Sequence, residues 1–266
     1  MNFVLLPVVH GVELKTITND YARPFLERVK KFLTDKEKGY LIPAPYNYTV
    51  RTHERQVKMF NAVSKGLGNE RLRYLKHTVG SDVTWSFIVA KDGKKCCFRD
   101  FVVDLTNMIS TYKKQYPGLK VMGLTHSQGT QYFLSFLFEF AGFIDGFISM
   151  GSPIPMNSGA YEDEDPEKDW GQLPKNLGSW HNFWHWMDFI SDPMQGRHPQ
   201  KNIADFVVDH EVPSAWWKIL FKLPRKVSAL GAAFFAHVCY WESDFVAEIV
   251  AEEIRRLMHL PPPNKP

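Results

Sequence analysis

Cysteine is scarce in this chain. Only 3 occur in 266 residues, Cys96, Cys97 and Cys239, and the first two are adjacent. That leaves no disulfide framework and points to a reducing, cytoplasmic compartment. A charge bias of one sign is missing as well: 32 basic against 29 acidic side chains leave +3, too little to suggest a nucleic-acid partner. No uncharged run is long enough to cross a bilayer. The apolar run Val227 to Trp241, between Lys226 and Glu242, falls short of the ~20 residues a spanning helix needs. Met1 to Val9 is apolar, but it has no basic start, is interrupted by Pro7 and lacks a small-residue cleavage site, so it reads as a strand and not as a signal sequence. What the chain does have is aromatic side chains, 14% of residues, within 44% hydrophobic and 23% charged. These values fit a globular fold and exclude a disordered chain, a coiled coil or a collagen-like fibre.

The apolar pattern alternates between two periods. Phe3 to Val9 is a short strand; Tyr21 to Leu33 has helical spacing after the capping candidates Thr18 and Asn19; Leu41 to Pro45 is extended; Glu54 to Ser64 is a second helix. Phe87 to Ala90 and Cys96 to Phe98 flank KDGKK and predict a hairpin. From Phe101 an amphipathic helix runs to Pro117-Gly118, followed by the strand LKVMGLT and the apolar helix QYFLSFLFEF. Three further strands are predicted at Phe143 to Met150, Asn182 to Ile190 and Ile203 to Val208, and a last helix at Phe245 to Leu260. Strands separated by helices imply an α/β fold with a mostly parallel sheet and helices on both faces. Residues 152 to 181, with the acidic run YEDEDPEKDW, and residues 210 to 232 interrupt the alternation and read as cap insertions on a single domain.

Thr125-His126-Ser127-Gln128-Gly129 lies between an apolar strand and a buried helix. A nucleophilic Ser on a sharp strand-to-helix turn needs small residues two positions before and after it, because the backbone is crowded there. Such a turn makes the Gln128 N–H the first oxyanion donor and aims the helix N-terminus at the reacting oxygen. The same pentapeptide also fits a Ser that only caps a helix. His10-Gly11-Val12 closes the first strand, where a Gly admits a close substrate approach and the amides of Gly11 and Val12 can complete the oxyanion hole. Asp192 follows a predicted strand in an Asp-Pro turn, and His237 comes later in AHVCYW. Ser, Asp, His is the chain order of a triad on this architecture. Asp192 is preferred to Asp209, which follows another strand, and to Asp188, which falls inside the predicted strand; the acid belongs in a loop at a strand's carboxyl end. His210 and His198 are competing bases.

With these motifs the chain resembles the α/β-hydrolase superfamily in its lipase and esterase branch. The resemblance runs from strand-HG through the THSQG elbow to strand-GSP, strand-DP and the late H-x-x-Y-W. It implies Ser127 as nucleophile, Asp192 as acid and His237 as base, with no cofactor and no metal. Thr125 stands where the family has Gly, and segments 45 to 100 and 152 to 181 match no particular subfamily.

The implied substrate is a small-molecule ester or lipid with an apolar acyl group, because the expected cap supplies Trp180, Trp184, Trp186, Trp216 and Trp217. His10, His126, Trp216 and Trp217 are the expected substrate contacts. Residues 214 to 226 mix Trp and Leu with Lys and Arg, so they form either an ordinary cap helix or a peripheral membrane contact. A thioesterase or acyltransferase would use the same three residues. Two rivals stand beside it: a zinc hydrolase, since His181 and His185 four apart would share a helical face, and a non-catalytic module on the same fold.

Overall fold

The computed structural model describes residues 1–10, 22–46, 97–127, 129–140, 142–153, 176–188, 191, 193–194, 203–209 and 236–259. Its frame is six short strands whose side chains are apolar on both faces, as a sheet covered on both sides requires. They are β1 (Val4–Val9), β2 (Leu41–Pro45), β3 (Lys120–His126), β4 (Gly146–Met150), β5 (Trp180–Trp184) and β6 (Ile203–Val207). All pairs are parallel, in the order β2-β1-β3-β4-β5-β6. Pro7 sits in the middle of β1, and the register to β3 passes over Leu6 and Pro7, where the proline has no N–H to donate.

Helices cover the two faces. Val4, Leu6, Val8, Met122, Leu124, Ile148 and Phe183 point to a core shared with α1 (Arg23–Lys31) and the last helix, α5 (Asp244–His259). Leu5, Val9, Val121, Phe147 and Trp180 point the other way, to α3 (Cys97–Gln115) and α4 (Gly129–Glu139). Alternate residues of one strand thus enter opposite cores, the period of two expected of a strand. A fully buried Leu, Val or Phe contributes roughly 1.5–3 kcal/mol, so both layers are needed to hold the sheet. The short α2 (Asp35–Lys38) is fixed by a capping box between Thr34 and Glu37.

The order of the strands decides where a site can form. β2 lies on one side of β1 and β3 on the other, so the strand order reverses between β1 and β3, the kind of switch point at whose carboxyl ends open α/β sheets bind ligands. Both His10 and Ser127 follow those ends.

Several expectations need correction. Cys97 and Phe98 lie in the first turn of α3 instead of ending a hairpin strand; positions 98, 101, 102 and 105 are all apolar, so the helical period extends back to Phe98. The N-cap of α1 is Ala22. β5 occupies residues 180 to 184, not 182 to 190. Beyond Trp184 the chain turns, because the His185 ring nitrogen Nδ1 accepts the Met187 N–H at 3.0 Å and the His185 carbonyl accepts the Asp188 N–H at 2.9 Å. Residues 176 to 181, expected in a cap, belong to the sheet: Leu177 bridges Ile144, and Trp180 and His181 lie in β5 between β4 and β6. The expected helix at 54–64 and the segment 210–232 lie outside the described residues. Among the described residues no helix is long and apolar enough to cross a membrane.

Candidate active site

The turn between β3 and α4 is the strained point of the fold. Ser127 has φ +54° and is the one non-glycine residue at positive φ among the described residues, a conformation that costs an L-residue about 1–2 kcal/mol. Its N–H is held by the Met150 carbonyl at 2.9 Å, and its own carbonyl accepts the Thr130 N–H at 3.0 Å. Gly129 is needed for a different reason. A Cβ there would lie 2.3 Å from the Val9 carbonyl oxygen and 2.8 Å from that of His10, so the start of α4 is pressed onto the end of β1. Thr125, at the other small position, is accommodated because its hydroxyl is buried in a hydrogen-bonded niche, donating to the Ile148 carbonyl at 3.1 Å and lying 3.0 Å from the Thr130 hydroxyl.

His237 approaches this turn from the segment before the 3-10 turn Cys239–Glu242. Its Nε2 is 2.9 Å from Ser127 Oγ, and its Nδ1 lies 3.1 and 3.0 Å from the two carboxylate oxygens of Asp188. An ionised carboxylate only accepts, so Nδ1 carries the proton and the Nε2 lone pair faces the Ser127 hydroxyl. The three side chains come from three separate parts of the chain, and Ser127, His237 and Asp188 are each at most 2% exposed. Charge developing there is poorly screened by water, so fixed donors act strongly on it.

Asp188 is therefore the carboxylate that meets His237. It was passed over in favour of Asp192 because the predicted strand ran to Ile190; with β5 ending at Trp184, Asp188 stands in the loop at the strand's carboxyl end, where an acid is expected. Asp192 lies outside the described residues, and Asp209 is exposed beyond β6. Gly151, after β4, has φ +60°, and a Cβ on it would lie 3.1 Å from His237 Nδ1 and 3.2 Å from Asp188 Oδ2. The glycine gives the His–Asp pair its space.

His126 was expected to touch substrate, and the structure places it elsewhere. Its Nε2–H donates to the main-chain carbonyl of His237 at 2.7 Å, and its ring packs on His237 and Trp241 at 4.9 and 5.3 Å. Burial, followed by the neighbouring His237, pushes its pKa down to about 3, so it is a neutral prop behind the base. Trp241 in turn meets Phe25 of α1 edge-on at 5.4 Å. Cys239 is no competing nucleophile: burial and then the Asp188 charge push its thiol up to about 12, and a neutral thiol is inert.

His10 is buried at the end of β1, under the start of α4. Gln128, Gly11, Val12, Trp216, Trp217, His198 and His210 lie outside the described residues. Trp180, counted among the cap aromatics, is a core residue that donates to Ser149 Oγ at 2.7 Å. The helical pairing of His181 with His185 does not form. His181 is on β5, and His185 follows it in the turn; residues four apart on an extended chain are roughly 13 Å apart. Sequence reasoning missed Tyr240, whose hydroxyl donates to Asp188, and Ser191, whose hydroxyl lies 3.0 Å from that of Tyr240; the H-x-x-Y spacing of His237 and Tyr240 was the available signal. No family model matches the chain, and neither does any curated protein or solved structure.

Proposed function

We propose that the protein is a serine hydrolase of the α/β-hydrolase kind, cleaving a carboxylic ester through an acyl-enzyme. One observation carries the reading: Ser127 Oγ, His237 and Asp188 form a continuous hydrogen-bonded line at a Ser with positive φ. The parallel sheet, the switch point between β1 and β3, and the chain order Ser, Asp, His support it.

In this reaction the Ser127 oxygen attacks the ester carbonyl carbon while His237 Nε2 takes the hydroxyl proton. Asp188 holds the ring in its Nδ1–H form and stabilises the imidazolium as it appears. The tetrahedral intermediate collapses, the C–O bond to the leaving group breaks, and Nε2 returns its proton to the leaving oxygen. Water, activated by the same base, then releases the acid. The apolar acyl group remains the sequence's suggestion, resting on Trp216 and Trp217.

The test is labelling by a fluorophosphonate. Ser127 should be phosphonylated in the wild type, and Ser127→Ala should abolish labelling and the hydrolysis of p-nitrophenyl butyrate while leaving the thermal midpoint close to wild type. Labelling or turnover that survives the substitution removes Ser127 as nucleophile.

A further inference from the structure

The carboxylate of Asp188 is approached from a second side. Tyr240, fully buried, has its hydroxyl 2.8 Å from Asp188 Oδ2 and 3.0 Å from Ser191 Oγ, and Ser191 Oγ lies 3.5 Å from the His185 N–H. The directions of these bonds follow from what each group can do. The carboxylate only accepts, so Tyr240 spends its single proton on Asp188. Tyr240 can then only accept from Ser191, and the Ser191 oxygen is left to receive the backbone N–H of His185. Three donors line up from the end of β5 toward one negative charge, an arrangement in which each bond polarises the next.

We propose that Tyr240 is a positioning residue for the triad, with Ser191 orienting its hydroxyl: the chain His185 N–H, Ser191, Tyr240 fixes Asp188 so that the carboxylate faces His237 Nδ1. The proposal rests on the serine-hydrolase reading of the site. It gives a reason for the spacing of His237 and Tyr240, since three residues on a helical turn put both side chains on the same carboxylate. It also gives a role to Gly151, where a Cβ would stand 3.0 Å from the Tyr240 ring.

Tyr240→Phe keeps the ring and removes only the donor. Losing a hydrogen bond to a charged group leaves Asp188 less well held and its charge less dispersed, so kcat for p-nitrophenyl butyrate should fall about tenfold. With less stabilisation of the carboxylate, the His237–Asp188 pair holds its proton more tightly, and the acidic limb of the kcat/KM profile should move to higher pH. The other groups near the pair, His126, His10, Cys239 and Glu242, are common to both proteins and cancel in the comparison. Ser191→Ala should shift the limb in the same direction by less. A merely structural tyrosine would leave the limb in place. The low-field proton resonance of His237 Nδ1–H reads the same bond without catalysis, and it should move in Tyr240→Phe and be lost in Asp188→Ala. A limb and a resonance both unmoved in Tyr240→Phe overturn the proposal; should that variant fail to fold, an unmoved pair of readouts in Ser191→Ala does so. Absence of any Ser127-dependent hydrolysis in the wild type would instead overturn the proposed function, while the resonance would still test the role of Tyr240.

Discussion

Asp188 differs from the other acids around the site in what surrounds it. Its two oxygens receive His237 Nδ1–H and the Tyr240 hydroxyl, whereas Asp209 is open to water beyond β6. An amide in place of the carboxylate would present an N–H to Nδ1, reverse the tautomer and leave Nε2 protonated, unable to accept from Ser127. Asp188→Asn should therefore lower kcat by about ten-thousandfold, as loss of a triad carboxylate does elsewhere, with Asp209→Asn and Asp192→Asn within a few fold of wild type. A collapse in Asp192→Asn with Asp188→Asn active would move the acid. At this scale the meeting of Ser127 with His237 was legible in the sequence, because the strand-turn-helix pentapeptide is a local motif and a histidine late in the chain is expected to face it. The acid was not, since its identity depended on where β5 ends, and that is decided by a side-chain-to-backbone bond at His185.

Between elements the fold relies on two glycines of different kinds, and substitution should tell them apart. At Gly129 an added Cβ would meet main-chain oxygens of β1 at 2.3 and 2.8 Å, which cannot give without moving the central strand; Gly129→Ala should destabilise by more than about 2 kcal/mol in urea unfolding. At Gly151 the neighbours are side chains at 3.0 to 3.2 Å and the backbone is at φ +60°, so Gly151→Ala should cost about 1–2 kcal/mol yet lower kcat by more than that loss of stability would suggest, because the His–Asp pair must shift. Equal stability loss with unchanged kcat in both variants would mean that Gly151 has no bearing on the pair. Elements themselves were well read where an apolar run has clear flanks: β1, β2, β6 and α5 fall within a residue or two of the predicted spans. The run from Asn182 reads too long because its aromatic, strand-favouring composition continues past Trp184 after the ladder has stopped.

Across the whole molecule, the residues that hold the site are tied to those that hold the fold, and the tie should appear as acid sensitivity. His126 joins the end of β3 to His237, and through Trp241 to Phe25 of α1. Its ordinary value is 6.5, and in the fold burial brings it to about 3. Below pH 6.5 the unfolded chain takes up this proton and the folded chain does not, so the stability associated with a neutral His126 is complete above 6.5 and is lost as pH falls toward 3. His181 is shifted in the same direction, by burial. Glu37 is held below its ordinary 4.5 by the Thr34 amide and Arg255, and Glu253, despite burial, by Arg256 and Ser179. Their contribution is present above 4.5 and disappears below it. Most of the loss from these carboxylates comes below this window, and between pH 6.5 and 4.5 proton uptake by His126 should account for on the order of 2–3 kcal/mol of lost stability. His126→Phe keeps the ring contacts with His237 and Trp241 but neither titrates nor donates to the His237 carbonyl. It should be less stable than wild type at pH 8, by about 0.5–1.5 kcal/mol for the hydrogen bond lost, and its stability should decline much less between pH 6.5 and 4.5. Denaturant unfolding at a series of pH values reads both effects, and a decline in that window as steep as in the wild type would show that His126 is not the group that takes up the proton.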